Sequence, residues 1–129
     1  MGRRAAVLIA CFDPQNRQTL VRLLGEHSLE PIPFTTLNEL RGLLKEQQDV
    51  ALVLCEMQLA DGDFRDALDA VAHSGRRIPV VVTSPKSETQ DYLAAMQAGA
   101  FDFLSYPICG RDLEWVLDNA LHRSVAATH

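Results

Sequence analysis

Hydrophobic positions along the chain follow two rhythms. Three short apolar runs, Ala5 to Cys11, Val50 to Leu54 and Ile78 to Val82, are unbroken and rich in β-branched residues. Each is too short for a helix and predicts a strand buried on both faces of a parallel sheet. Between the runs, apolar residues return every three or four positions, the period of one helix face. Asp13-Pro14 supplies an N-cap and a first-turn proline, Leu20, Val21, Leu23 and Leu24 a buried face, and Gly25 a stop. Glu30 to Phe34 reads as a weak strand whose two prolines confine it to an edge. Thr36 and Glu39 form a capping box ahead of Leu37, Leu40, Leu43 and Leu44. A third helix is expected from Phe64 to His73, with Phe64, Ala67, Leu68 and Val71 inward. Ser87 and Gln90 suggest another capping box before Leu93, Ala94 and Met96, with Gly99 closing that helix. Phe101 to Ser105 is a fifth strand, and Leu113, Val116, Leu117, Ala120 and Leu121 mark a last helix starting near Gly110.

Five strand–helix alternations with short connections predict an α/β fold with helices on both faces of a parallel sheet. At 129 residues the best fit is a flavodoxin-like (βα)5 three-layer sandwich, its five strands in the order 2-1-3-4-5. That order makes the first, third and fourth strands neighbours. It gathers Cys11, Phe12, Glu56, Thr83 and Ser84 at the carboxyl edge, where open α/β sheets place their chemistry.

The formal net charge of −5 argues against direct nucleic-acid binding, and the Arg3-Arg4 pair is too short for a basic arm. No apolar run reaches the length of a membrane span. Met1-Gly2 is followed by Ala6 where a myristoylation signal requires Ser or Thr, and no signal peptide is evident. Cys11, Cys55 and Cys109 are an odd number without metal-ligand spacing, which suits reduced thiols in a cytoplasmic protein. The expected domain is residues 1–123. Residues 124–129 read as a tail or the start of a linker, so the domain is expected to be one module of a longer regulator.

The segments VLIACFDPQNRQTLVRLL, LVLCEMQLADGDF, IPVVVTS and AAMQAGAFDFLSYPI occur in an order and spacing that resemble the receiver domain of two-component response regulators. That family moves a phosphoryl group from a histidine kinase to an Asp after the third strand. Two acidic residues after the first strand hold Mg²⁺ there, and a Lys before the last proline pairs with the phosphoryl group. By the resemblance, the acidic pair falls on Cys11 and Phe12, with Asp13 one step on. The acceptor falls on Glu56, the Lys on Tyr106, and the switch residues on Thr83 and Phe103. A cis peptide at Tyr106-Pro107 is also implied.

The resemblance is thus to an atypical pseudo-receiver: packing and switch positions are kept, while metal and charge positions are changed. No cofactor is expected, and Mg²⁺ binding is expected to be lost, because a thiol and a phenyl ring are not hard oxygen ligands. Three readings of Glu56 stand open: a charge mimic of the phosphorylated acceptor, a solvated loop carboxylate without a role, or a slow phosphoacceptor. If Glu56 is a mimic, Thr83 should lie close to its carboxylate and the Phe103 ring should be buried.

A rival reading is a small phosphotransfer protein using Glu56 or Cys11. Phosphotransferase-system IIB domains carry a phosphorylated Cys after the first strand of a similar sheet. They need a Gly/Ser/Thr-rich cradle, and Phe12-Asp13-Pro14-Gln15 does not resemble one. Cys55 should point away from Glu56 by strand parity. Trp115 should lie opposite the buried stripe of the last helix, on the side of His122. Expected partners are proteins, an output domain or a signalling protein such as a histidine kinase. They would meet the surface of the fourth helix, fifth strand and fifth helix, and a homodimer is a further expectation.

Overall fold

A computed structural model describes residues 4–86 and 88–126, with side chains to Leu121. Expectations placed on Met1-Gly2, Arg3, Ser87, the side chain of His122 and residues 127–129 lie outside the described residues.

The elements run β1 (Ala6–Ala10), α1 (Pro14–Glu26), β2 (Glu30–Pro33), α2 (Leu37–Glu46), β3 (Val50–Glu56), α3 (Phe64–His73), β4 (Val80–Ser84), α4 (Thr89–Gln97), β5 (Asp102–Ser105) and α5 (Gly110–Ala126). A small antiparallel ribbon, Gln58–Leu59 against Gly62–Asp63, lies between β3 and α3. The five long strands form one parallel sheet in the order β2-β1-β3-β4-β5. This is the 2-1-3-4-5 flavodoxin-like arrangement expected from the alternation.

Strand parity divides the core. Val7, Ile9, Leu52 and Leu54 face α1 and α5, meeting Leu20, Leu24, Leu113 and Leu117. Leu8, Ala10, Val53 and Cys55 face the other way, onto Phe34, Leu40, Leu44 and Val71 of the β2–α2 segment, α2 and α3. Because β1 and β3 are buried on both faces, their sequences are continuous apolar runs. The prolines of β2 are accommodated because that strand is at the edge, as predicted.

Several local expectations shift. β4 begins at Val80 rather than Ile78, and it runs on to include Thr83 and Ser84. Pro79 has no N–H for the ladder; only its carbonyl joins, accepting from Val53 N at 3.0 Å. α1 passes through Gly25 to Glu26, and the left-handed residue that ends the turn is Ser28 (φ 59). Val21 is exposed, since α1 buries a narrow stripe through Leu20 and Leu24. On α4 the inward residue is Ala95; Leu93 faces solvent, because only a small side chain fits against Phe64, Val82 and Ala100. Glu88 is the N-cap of α4, without a side-chain cap bond. α5 continues past Arg123 to Ala126. No helix among the described residues is long and apolar enough to cross a membrane.

Candidate functional site

The carboxyl edge of the sheet is built from three strand ends. β1 runs out into Cys11, Phe12 and Asp13. Asp13 is the N-cap of α1: its Oδ2 accepts from Asn16 N at 2.9 Å, which turns the carboxylate towards the helix. Phe12 is exposed, while Cys11 is buried with its thiol 3.8 Å from the Asp13 carbonyl.

Glu56 closes β3, where its register partner on β4 is Thr83. The Glu56 side chain does not bond to that partner. Its Oε2 accepts from the Phe12 backbone N–H at 3.0 Å, across to the end of β1. Thr83 and Ser84 are fully buried polar residues. The Thr83 hydroxyl accepts from the Tyr106 phenol at 3.2 Å. Tyr106 also donates its backbone N–H to the Ser84 carbonyl at 2.8 Å, continuing the β4–β5 ladder beyond Ser105. The Tyr106–Pro107 bond is cis.

The electrostatics follow from burial. The Cys11 thiol is pushed up chiefly by burial and further by the negative charge of Glu56, while its hydrogen bond with Tyr106 opposes the rise. Burial also raises the Tyr106 phenol, aided by Cys11 and Glu56. Both groups keep their protons at neutral pH. Cys55 lies in the core on the opposite face from Cys11, and burial with the nearby Glu56 and Asp63 charges pushes its thiol up to about 12. Cys109 is exposed.

The β3–α3 loop is tied down by its own acids. Asp61 reaches α2, accepting from Leu37 N at 2.7 Å and Asn38 N at 3.4 Å, while Asp63 and Asp66 make a capping box for α3. Between them Gly62 leaves room for both: a Cβ there would come within 2.5 Å of Asp66 Oδ2 and Leu37 Cδ1 and displace those side-chain ends. The Asp61 cap spans 24 residues and leaves no local sequence signal. Among the described residues, no three His, Cys, Asp or Glu side chains converge as a metal-ligand set.

Phe103 on β5 is partly buried beside Val82, Ala95 and Ala100. Its ring meets Tyr92 of α4 edge-on, with centroids 6.1 Å apart and planes at 89°. Outside this pair lies an open groove of about 350 Å³ lined by Glu88, Asp102, Phe103, Asp112, Trp115 and Val116. Trp115 is 61% exposed, opposite the buried stripe of α5 as its spacing predicted.

A family described as the response regulator receiver domain matches residues 7–118. The chain belongs to that family. The receiver is 31% identical over 108 residues to the response regulator protein PilR of Pseudomonas aeruginosa, covering 84% of this chain and 24% of PilR. It is 36% identical over 89 residues to the KDP operon transcriptional regulatory protein KdpE of Escherichia coli, covering 68% of this chain and 39% of KdpE. This receiver therefore spans well under half the length of either relative. A response regulator receiver domain protein from Clostridium thermocellum shares its fold, with a TM-score of 0.82 at 21% identity over 95% of this chain and 98% of that one. The receiver is accordingly a two-component signalling domain.

Within it, the structure brings Cys11, Phe12, Glu56, Thr83 and Tyr106 together at one edge. Asp13 stands beside them but is committed to its helix. The Thr83 hydroxyl, expected near the Glu56 carboxylate only if Glu56 is a charge mimic, is hydrogen-bonded by Tyr106.

Proposed function

We propose that this domain is a pseudo-receiver, a signalling module that acts by protein–protein contact and not by accepting a phosphoryl group. The observation that carries the reading is that the pocket's polar groups satisfy one another. Phe12 N–H holds Glu56, and the phenol of Tyr106, the residue that by resemblance takes the place of the family's lysine, holds Thr83. A divalent cation does not fit these residues. Cys11 is a buried thiol held protonated, Phe12 has no ligand atom in its side chain, and Asp13 is occupied as a cap. Without a cation or a lysine, phosphoryl transfer loses the charge stabilisation it depends on.

The docking surface in this reading is the face of α4, β5 and α5, where Tyr92 and Leu93 are exposed on α4 and Trp115 is exposed beside the groove. Its partners are an output domain, a histidine kinase or a second copy of the chain, met in the cytoplasm, with no direct contact to nucleic acid. The domain has no catalytic activity of its own. Incubation with radiolabelled acetyl phosphate and Mg²⁺ tests the reading. No stable label is expected; label mapped to Glu56 or Cys11 would establish the phosphotransfer alternative.

A further inference from the structure

α4 is weakly anchored by its own sequence. Its N-cap, Glu88, makes no side-chain cap bond, and Ala95 is its single buried residue among the described residues. What ties its start to the sheet is the segment leaving β4. There Ser84 Oγ accepts from Lys86 N at 3.2 Å and reaches Asp91 of α4 at 3.5 Å. Behind Ser84, Tyr106 grips the same strand end at two points, through its backbone on the Ser84 carbonyl and its phenol on the Thr83 hydroxyl. On its other side the phenol meets the Cys11 thiol. Tyr106 thus bridges the ends of β1, β4 and β5 at the point where the chain departs for α4.

We infer that the Tyr106 phenol is a built-in latch, holding Thr83 so that the start of α4, and with it the Tyr92–Phe103 contact, keeps one position without any phosphoryl group. The role is a positioning one, and it rests on the pseudo-receiver reading. Thr83 is fully buried, so its hydroxyl has no water to replace the phenol if the contact is lost. Raised by burial, the phenol keeps through the neutral range the proton it donates to Thr83.

The test removes the contact from either side in the intact chain: Tyr106→Phe keeps the ring, and Thr83→Val keeps the shape. Amide hydrogen exchange and amide NMR shifts are read across residues 89–97, with Thr83→Ser as the conservative rescue. Each deletion is expected to speed exchange across α4 roughly tenfold, the scale of losing one ordinary hydrogen bond. Each should also move the Phe103 and Tyr92 ring signals. The double variant should do no more than the larger single one, and Thr83→Ser should behave as the parent. If Tyr106→Phe does not fold, the Thr83→Val and Thr83→Ser pair decides. Changes confined to neighbours of positions 106 and 83, or additive effects in the double variant, would overturn the latch. Acetyl phosphate labelling of the parent chain is a separate readout: label on Glu56 sinks the pseudo-receiver reading, whereas an unmoved α4 without label sinks the latch alone.

Discussion

Glu56→Gln separates a carboxylate that drives a switch from one that is tied to the backbone. Glu56 Oε2 accepts from Phe12 N–H at 3.0 Å, and its side chain also meets the Cys11 thiol. Glutamine keeps the length and an acceptor oxygen, so the contact survives as a neutral one. Charged hydrogen bonds contribute about 1.5–3 kcal/mol and neutral ones about 0.5–1.5 kcal/mol, so the expected loss is about 1 kcal/mol. The site is half-open to solvent, which keeps the loss at the lower end of that difference. Urea unfolding should show this as a lower midpoint with an unchanged slope. Amide shifts should be confined to Phe12, Asp13 and the start of the β3–α3 loop, leaving α4 in place, because Thr83 is held by Tyr106. A second readout is the Cys11 thiol. Glu56 helps to raise it, so in a Cys109→Ser background the variant's thiolate should form at lower pH than the parent's. Broad movement of α4 and Phe103 signals, or a loss above about 3 kcal/mol, would mean that Glu56 works through contacts the structure does not show, and the reasoning would fail.

Mg²⁺ titration followed by Trp115 fluorescence and amide NMR should show no saturable site near Glu56; millimolar or tighter saturation would require Asp13 to leave its helix cap. Stability should fall above about pH 9. Cys55 rises from 9.0 to about 12 on folding, so its contribution is full below pH 9 and is lost as the pH climbs toward 12. The slope is about 1.4 kcal/mol per pH unit per group, and Cys55→Ala should flatten it. Arg76 donates to the carbonyls of Leu44, Gln47 and Gln48 at 3.0, 2.7 and 2.6 Å, holding the end of α2. Arg76→Ala should cost about 2 kcal/mol in urea unfolding, because three acceptors lose a charged donor at a partly exposed site; an unchanged midpoint would show that water replaces the guanidinium fully.

The fold was legible because its signals are local and redundant. Runs buried on both faces, the Asp13-Pro14 cap and the Thr36–Glu39 capping box each mark an element with residues next to one another in sequence. Boundaries failed where the deciding contact was remote or small. The ladder of β4 depends on what Pro79 lacks. The inward residue of α4 is an alanine, chosen by the space against Phe64 and Val82 and not by hydrophobicity. Asp61 looks like a turn residue, yet its work is to cap a helix 24 positions earlier.

At the site, sequence spacing identified which residues meet but not which of them pair. Glu56 and Thr83 are register partners on adjacent strands, and the charge-mimic reading alone calls for a contact between them. Two features redirect it. The backbone N–H of Phe12 is a fixed donor at the end of β1, and it takes the Glu56 Oε2. The Tyr106 phenol carries no charge and cannot neutralise a carboxylate; it donates instead to the buried hydroxyl of Thr83. In the pseudo-receiver reading, a tyrosine where the family carries its lysine alters the pairing of both neighbours. Glu56 is then bound to the backbone, and the Thr83 side of the pocket is an uncharged contact that, in the same reading, needs no phosphate to form.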